Sequence, residues 1–292
     1  MRLVAFLAWI LALSVQPAFA QAPSKLQGLE QRLASMAIEN DGEFGFAALD
    51  LDTGQVISFN GSNPFPMAST MKVAVAAAYL TEVDAGRRNL GDTIGGQTAF
   101  SLMDAMITRS DNRATDVLMA TLGGPAVIDG WLRRHSLTNI RVDRTIAQLL
   151  GDRRDLRDIR DSSTPTAMLQ LLSLIDRGAA LQPGSRDLLM DMMRRCKTGS
   201  NRMRALLPAG AVVEHKTGTL SGYTSDVGYL TLPSGKRVAV AFFARGGSNR
   251  PAVIATAARA IYDAFAESGA EVKPVPTLAP AGSPAPVLVQ GL

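Results

Sequence analysis

The chain has 292 residues, of which 47% are hydrophobic and 19% charged, so it is long enough to bury a sizeable core in one or two domains. The net charge of +4 is spread over intermixed basic and acidic residues, which indicates a solvated surface and excludes a dedicated nucleic-acid-binding arm. Cys196 is the only cysteine, so an internal disulfide is excluded, and we predict no metal and no cofactor.

The first twenty residues have the pattern of a signal peptide. Arg2 precedes an apolar run from Leu3 to Val15, and Ala18-Phe19-Ala20 closes the segment as a small-x-small cleavage signature. The apolar run is shorter than a membrane-spanning helix requires. We therefore expect residues 1–20 to be removed and the chain to be exported, periplasmic or secreted, without stable membrane insertion.

Hydrophobic periodicity then predicts the elements in chain order. Residues 24–40 repeat apolar side chains at helical spacing, and the next stretch, "EFGFAALDLDTGQVISFNG", is typical of a hairpin. Residues 66–204 are mostly helical in pattern, with "VAVAAAYL" apolar on every face. Three strand-like runs and a final helix follow, and the Pro/Ala-rich residues 271–292 are typical of a disordered tail.

Strands from both chain ends therefore bracket a helical middle. The simplest arrangement is an α+β fold with one antiparallel sheet, built from residues 21–66 and 211–270 and covered by the terminal helices. Residues 67–210 would form a mostly helical subdomain, so that one domain spans residues 21–270. A cleft between the two parts is a natural place for a site.

The first chemical signal is Ser69-Thr70-Met71-Lys72, where an irregular segment meets a helix. Residues three apart share a helical face, so Lys72 can point back at the Ser69 hydroxyl. A neutral lysine can activate a serine if burial and cationic neighbours lower its pKa. By itself the pattern is weak, because a helix cap followed by a surface lysine is common.

Two further triplets follow: "SDN" at residues 110–112 and "KTG" at residues 216–218. The first alone is typical of a helix cap or an Asx turn. The second follows a β-branched run, which places Lys216 on a strand. A second "KTG" at residues 197–199 follows a helical pattern with Gly as the stop, so we interpret that copy as a coincidence.

Together and in this order, the three signals resemble those of class A β-lactamases and penicillin-binding proteins. The resemblance extends to "FPMASTMK", to "RVDR" and "RDSSTP" as the ends of an omega loop, and to "RALLPAGAVVEHKTGT". It covers residues 25–269 and identifies the chain as a penicillin-recognising active-site-serine enzyme. The implied partners are β-lactams or peptidoglycan stem peptides, and a monomer is expected.

The resemblance also implies a role for each matching residue. Ser69 would be the nucleophile, Lys72 its proton acceptor, and Ser110 the relay of a proton to the departing nitrogen. The remaining implied contacts are the substrate amide at Asn112, the substrate carboxylate at Lys216, Thr217 and Gly218, and an oxyanion hole from the backbone N–H groups of Ser69 and Thr219.

The omega loop departs from the family at its centre. Arg144 and Asp161 match the salt-bridge pair that closes the loop. The family's water-activating glutamate and its asparagine partner are matched by Ile146 and Leu150, which can neither accept a proton nor bind water. An aspartate could replace the glutamate, and the candidates are Asp152, Asp155 and Asp158, although alternating charges are more typical of a solvated surface.

Three other features bear on the mechanism. The interval between Lys72 and Ser110 is shorter than is typical of class A enzymes, which would open one wall of the cleft. The arginine that assists carboxylate binding has no clear match, and Arg245 and Arg250 are the candidates. A Ser-His-Asp mechanism would need His215 or His135, and the strand places the His215 side chain opposite that of Lys216.

Three functions remain open from the sequence. The first is a penicillin-binding, D-alanyl-D-alanine-processing enzyme that β-lactams acylate and that releases them slowly. The second is a true β-lactamase with a relocated base. The third is a sensor that binds β-lactams or muropeptides without turnover, which has no need for all four of Ser69, Lys72, Ser110 and Lys216.

Overall fold

The structure is a computed structural model that describes residues 25–153 and 155–269. The expected signal peptide and the Pro/Ala-rich tail lie outside these residues. In chain order the elements are α1 (Lys25–Ile38), β1 (Glu43–Asp50), β2 (Val56–Phe59), β3 (Phe65–Pro66), a 3-10 helix (Ala68–Met71), α2 (Lys72–Asp84), β4 (Thr93–Ile94), β5 (Gln97–Thr98), α3 (Ala99–Thr108), α4 (Asn112–Leu122), α5 (Pro125–Arg134), α6 (Ile146–Gly151), β6 (Ser162–Ser163), α7 (Pro165–Asp176), α8 (Pro183–Arg194), β7 (Val212–Leu220), β8 (Tyr223–Thr231), β9 (Arg237–Arg245) and α9 (Arg250–Gly269).

The main sheet has five strands in the order β2-β1-β9-β8-β7, and every neighbouring pair is antiparallel. The two N-terminal strands thus pair with the three C-terminal strands, as the pattern of strands at both chain ends predicts. The α+β fold class is confirmed. This pairing puts β7, which carries the "KTG" triplet at residues 216–218, at an edge of the sheet. There it contacts α8 and the 3-10 helix.

The hairpin of β1 and β2 turns where the sequence has turn chemistry. The Asp50 Oδ1 atom accepts hydrogen bonds from the backbone N–H groups of Asp52, at 3.0 Å, and Thr53, at 3.2 Å. Gly54 adopts φ of 77°, which a residue without Cβ tolerates. The side chain of Asp50 therefore supplies the local bonds that reverse the chain.

Each face of the sheet buries a separate apolar core. On one face α1 and α9 cover aromatic side chains of the strands, including Phe46, whose ring centroid is 6.0 Å from that of Phe242. On the other face α7 packs against β1 and β9. Helix α2 lies at the centre of the larger core, and Val73 to Leu80 are buried at every position.

The all-round burial of α2 confirms the prediction from its uniformly apolar sequence. It also means that Lys72, the first residue of α2, is held on a helix that is packed on all sides. Among the described residues, no helix is long and apolar enough to cross a membrane.

Candidate active site

The nucleophile candidate Ser69 lies in the 3-10 helix that leads directly into α2. Its neighbours Ala68, Thr70 and Met71 are buried, whereas Ser69 itself is partly exposed. Ala68 has φ of 50°, a left-handed conformation that costs a non-glycine residue energy. The buried neighbours therefore hold a strained turn that leaves the Ser69 side chain accessible.

Lys72 is completely buried, and its ammonium group contacts the loop between α3 and α4. The Nζ atom donates to the Ser110 carbonyl oxygen at 2.7 Å and to Asn112 Oδ1 at 2.7 Å, and lies 3.2 Å from Ser110 Oγ. Burial and, secondarily, the charge of Lys216 lower the pKa of Lys72 to about 7. A substantial neutral fraction near neutral pH is what a lysine base requires.

Ser110 lies between two lysines. Its Oγ atom accepts a hydrogen bond from Lys216 Nζ at 2.9 Å, in addition to the contact with Lys72. Ser110 has φ of 60°, and the following Asp111 caps α4 by accepting from the Ala114 N–H at 2.7 Å. The "SDN" triplet is therefore a helix cap, and its turn also directs the Ser110 hydroxyl toward both ammonium groups.

Strand β7 brings the "KTG" residues against the nucleophile segment. Lys216 is buried, and its Nζ atom also donates to the Thr217 carbonyl oxygen at 2.9 Å. Burial lowers the pKa of Lys216 to about 8 although the charges of Cys196 and Asp226 oppose the change. A Cβ atom at Gly218 would lie 2.6 Å from the Met67 carbonyl oxygen, so this close approach requires glycine.

An arginine that the sequence analysis missed lies at the end of this strand segment. The Arg202 guanidinium donates to the Gly218 carbonyl oxygen at 3.0 Å, to the Ser225 carbonyl oxygen at 2.9 Å and to Thr219 Oγ1 at 2.7 Å. It is the cationic side chain that hydrogen-bonds the residue after the "KTG" triplet. Arg202 comes from the loop after α8, so only tertiary structure could reveal it.

The two arginines proposed from the sequence have other partners. Arg245 pairs with Glu43, donates to the Pro64 carbonyl oxygen at 3.1 Å and lies over the Phe65 ring at 4.8 Å. Arg250 donates to the Gly246 carbonyl oxygen at 2.8 Å. In the part of the chain that the structure describes, neither is hydrogen-bonded to the "KTG" residues, whereas Arg202 is.

The omega-loop frame is closed by the expected pair. Arg144 Nε lies 2.5 Å from Asp161 Oδ2, and both side chains are buried. The other Asp161 oxygen accepts from the backbone N–H groups of Asp143, at 2.7 Å, and Arg144, at 3.0 Å. The two ends of the loop are thus joined by charge-assisted bonds in a site with little solvent.

The interior of the loop is helix α6, which begins at Ile146. Thr145 and Gln148 form a capping box, and the Asp116 carboxylate accepts the N–H groups of Ile146 at 2.7 Å and Ala147 at 2.9 Å. The Ile146 side chain is 3% exposed, whereas that of Leu150 is 49% exposed. The position matching the family's glutamate therefore buries a hydrocarbon.

The candidate replacement bases are engaged by arginines. Asp152 lies 2.7 Å from Arg144 Nη1, and Asp158 lies 2.7 Å from Arg160 Nη2. The hydrogen bond from Arg160 holds the pKa of Asp158 below its ordinary value. Asp155 accepts from the Arg157 N–H at 2.8 Å. Asp152 and Asp158 are thus held by guanidinium groups, whereas Asp155 accepts a backbone N–H, and the lowered pKa makes Asp158 a poor proton acceptor.

The two histidines lie apart from the Ser69 hydroxyl. His215 is completely buried, and its Nδ1 atom is 2.7 Å from Asp226 Oδ1. His135 follows α5, and its ring is 4.6 Å from that of Trp131. Neither ring is hydrogen-bonded to Ser69 in the described residues, so a Ser-His-Asp mechanism has no geometric support.

Cys196 follows α8 directly and is buried, which leaves little room for a substrate at its sulfur. Thr198, in the other "KTG" copy, has its hydroxyl oxygen 2.5 Å from that of Thr217. The copy interpreted as a coincidence thus packs against the strand copy. In the part of the chain that the structure describes, no group of three or more His, Cys, Asp or Glu side chains could hold a metal ion.

The match with a family model decides the identity. The model of the "Beta-lactamase enzyme family" matches residues 28–265. The chain belongs to this family. It is a class A β-lactamase-like serine enzyme, as the three motifs predict.

Among the curated relatives of this β-lactamase-like enzyme, the carbapenem-hydrolyzing beta-lactamase KPC of Klebsiella oxytoca is 30% identical over an alignment of 253 residues, and the match covers 78% of this chain and 86% of the relative. Beta-lactamase VEB-1 of Pseudomonas aeruginosa is 26% identical, over 75% of this chain and 83% of the relative. The ancestral (GNCA) class A beta-lactamase has a TM-score of 0.78 at 35% identity, covering 81% of this chain and 100% of that structure. A beta-lactamase from Chitinophaga pinensis has a TM-score of 0.77 at 28% identity, covering 82% and 99%.

Proposed function

We propose that this enzyme is acylated at Ser69 by β-lactams and by D-alanyl-D-alanine peptides, and that it releases β-lactam adducts slowly. The observation that carries the proposal is the contrast between the two halves of the site. The groups needed for acylation are assembled around Ser110, whereas the position of the water-activating carboxylate is filled by the buried side chain of Ile146.

The proposed acylation uses these groups in turn. Ser69 Oγ attacks the carbonyl carbon, and its proton passes to neutral Lys72, which the lowered pKa of about 7 makes available. The developing oxyanion is stabilised by the backbone N–H groups of Ser69 and Thr219. As the amide bond breaks, the Ser110 hydroxyl donates its proton to the leaving nitrogen and recovers one from the adjacent lysines.

Substrate binding uses the strand and the loop opposite it. The substrate carboxylate accepts a hydrogen bond from the Thr217 hydroxyl and is attracted by the positive charges of Lys216 and Arg202. A β-lactam and a peptide C-terminus both have a carboxylate that could bind in this way. Asn112 is placed for the amide of the substrate side chain while its Oδ1 accepts from Lys72. Both proposed substrate classes carry these two groups.

Deacylation needs a base that takes a proton from water. Ile146 cannot supply one, Asp116 uses both oxygens on the α6 backbone, and Asp152 and Asp158 are paired with arginines. Loss of a positioned general base slows such a step by about 10²–10⁴-fold. The acyl-enzyme is therefore expected to persist.

The test is the intact mass of the mature protein over time after addition of a slight excess of benzylpenicillin. An adduct that persists for hours, and is missing in Ser69→Ala, supports the proposal. Rapid loss of the penicillin with only free enzyme remaining refutes slow release. Cleavage of a D-alanyl-D-alanine peptide then separates a peptidase from a sensor that binds without turnover.

The second candidate is a true β-lactamase, which the names of the relatives favour. Its base would be a relocated carboxylate. The candidate is Asp116, which binds the α6 backbone from α4, four residues after Asn112. In this alternative, the lone pair that each of its oxygens keeps beyond the backbone N–H bond would accept the proton from water. If benzylpenicillin is turned over rapidly, Asp116→Asn should slow the turnover, whereas the exposed change Asp187→Asn should not.

Domain limits and export complete the proposal. The family match and the elements that the structure describes fall within residues 21–270, which supports one enzyme domain between a signal peptide and a tail. The apolar run of residues 3–15 supports export. Mass spectrometry of the exported protein should give Gln21 as its first residue, and an intact Met1 would contradict the proposed cleavage.

A further inference from the structure

A short chain of polar atoms runs behind β7 from Cys196 to the cleft. Cys196 Sγ lies 3.4 Å from Thr198 Oγ1, and Thr198 Oγ1 lies 2.5 Å from Thr217 Oγ1. Thr217 is the hydroxyl that the proposed function assigns to the substrate carboxylate. At one end of this row of hydrogen-bonding atoms, the Cys196 thiol can lose its proton. At the other end, the Thr217 hydroxyl needs its proton in order to donate a hydrogen bond to the substrate carboxylate.

The Cys196 thiol also lies 3.9 Å from the Thr198 carbonyl oxygen, a second acceptor for its proton. Each hydroxyl has one proton, so when both side-chain contacts are hydrogen bonds the chain has two directions. If the Cys196 thiol donates to Thr198, Thr198 donates to Thr217, and Thr217 is free to donate into the cleft. If Cys196 is a thiolate, it must accept from Thr198. Thr198 then accepts from Thr217, and Thr217 offers the cleft only lone pairs, which a carboxylate repels.

We propose that Cys196, acting through Thr198, is a positioning residue that sets the direction of the Thr217 hydroxyl and thereby the affinity for substrate carboxylates. The inference rests on the proposed function, because it takes Thr217 as a carboxylate ligand. It assigns a role to the "KTG" copy at residues 197–199, whose threonine is the middle of the chain. It also assigns a role to the single cysteine.

The surroundings of Cys196 allow it to change its protonation state. Burial opposes ionisation of the thiol, but the neighbouring His215 outweighs it, and the pKa of Cys196 falls to about 6. His215 has a buried Nε2 without a hydrogen-bond partner of normal geometry in the described residues. Although burial opposes its protonation, Asp226 and Cys196 raise its pKa to about 9, so it stays charged at neutral pH.

Other charged groups also act on Cys196 or on the carboxylate site. They come from β7, β8, α2 and the loop after α8, and they are His215, Lys216, Asp226, Lys72, Arg202 and Arg204. Lys72 and Lys216 lose charge as the pH rises, with pKa values of about 7 and about 8. The pH dependence of a single protein is therefore not diagnostic, and variants must be compared at each pH.

The experiment measures non-covalent binding of benzylpenicillin to Ser69→Ala by titration calorimetry, so it does not require acylation. The comparison adds Cys196→Ser, whose hydroxyl keeps its proton throughout. At about pH 5 the two proteins should bind equally, because both have a protonated side chain at residue 196. At about pH 7.5 the serine variant should bind about 10- to 100-fold more tightly, the worth of one hydrogen bond to a charged group.

A double-mutant cycle separates the hydroxyl chain from simple repulsion between a thiolate and the ligand. Valine at residue 198 has nearly the shape of threonine but no hydroxyl, so it cannot hydrogen-bond to residue 196 or to Thr217. In the Thr198→Val background, Cys196→Ser should therefore leave the affinity for benzylpenicillin unchanged. Thr198→Ser keeps the hydroxyl and should restore the effect. Benzylpenicillin methyl ester has no carboxylate, and its binding should not respond to Cys196→Ser.

Three results overturn the proposal: equal binding by both proteins at about pH 7.5, a Cys196→Ser effect that survives in Thr198→Val, or no saturable binding at any pH. Failure of the proposed function looks different. In that case the protein with intact Ser69 forms no adduct with benzylpenicillin, whereas the binding of Ser69→Ala can still be measured.

Discussion

Placing a glutamate at residue 146 should convert slow release of a penicilloyl adduct into rapid release. Ile146 is the first residue of α6, and its N–H is 2.7 Å from the Asp116 carboxylate. Asp116 is one helical turn after Asn112, whose side chain accepts from Lys72 at 2.7 Å. Asp116 therefore ties the start of α6 to the helix that carries Asn112, and its charge acts on Lys72, so a carboxylate at residue 146 should come under the influence of the same ammonium group, which favours the ionised form.

The size of the effect follows from the chemistry of the missing step. A positioned general base contributes about 10²–10⁴-fold, so Ile146→Glu should shorten the adduct lifetime by about that factor. Replacing a side chain that is only 3% exposed should also lower the free energy of unfolding, by about 1–3 kcal/mol. Leu150→Asn, at a half-exposed position one turn further on, should add an amide ligand for the water at little cost.

The assay is the decay of the intact-mass adduct after excess benzylpenicillin is removed. Ile146→Gln is the matched control, because it has the size of the glutamate and loses the same hydrocarbon contacts but cannot accept a proton. Rapid decay in Ile146→Glu and slow decay in Ile146→Gln would support the missing-base argument. Equal lifetimes in the two variants would refute it and redirect attention to Asp116.

Three further predictions concern the pH profile, the carboxylate site and the loop frame. The rate of acylation by benzylpenicillin, measured by stopped flow, should rise with pH as Lys72 becomes neutral around its pKa of about 7. The rate should fall again once Lys216 loses its charge above its pKa of about 8. A rate that does not change with pH across this range would contradict the assignment of Lys72 as the base. Arg202→Gln should lower the efficiency of acylation at low benzylpenicillin concentration by about 10–100-fold, because the affinity for the ligand falls while the limiting rate at saturation changes little. If the efficiency with benzylpenicillin methyl ester, which has no carboxylate, fell by the same factor, a carboxylate-binding role for Arg202 would be excluded. Asp161→Asn should lower the free energy of unfolding, measured in urea, by about 1.5–3 kcal/mol, the worth of a hydrogen bond to a charged group, because Arg144 keeps Asp152 and Asp158 as partners but loses its buried one. A loss below about 0.5 kcal/mol would show that the pair is not needed.

Most of the fold was predictable because its signals are local. The hairpin of β1 and β2 is encoded by an aspartate and a glycine around a tight turn, and α2 by eight apolar residues without a polar face. The approach of Lys72, Ser110 and Lys216 was predictable from a specific family pattern. The distances were not, since Ser110 is tied to both lysines by a turn with φ of 60° that no propensity predicts.

The residues that the sequence analysis missed share one property, which is that they act across the fold from irregular or distant segments. Arg202 reaches β7 from a loop 16 residues away, and the choice among many surface arginines needs tertiary structure. Asp116 carried a weak signal, since a residue four after Asn112 lies on the same helical face. Its partners, the N–H groups at the start of α6, are 30 and 31 residues further along.

The two "KTG" copies show how far sequence reasoning can go. Context alone separated a strand copy from a helix-end copy, and only the strand copy contacts Ser110. The sequence does not reveal that the two copies touch: Thr198 and Thr217 are 19 residues apart in the chain, but their hydroxyl oxygens are 2.5 Å apart in space. Gly199, with φ of 74°, lets the chain turn beside Thr217, so the repeated glycine and threonine have separate physical reasons to be there. A triplet that has no catalytic role of its own can thus pack against the triplet that lines the site, as Thr198 and Gly199 pack against Thr217.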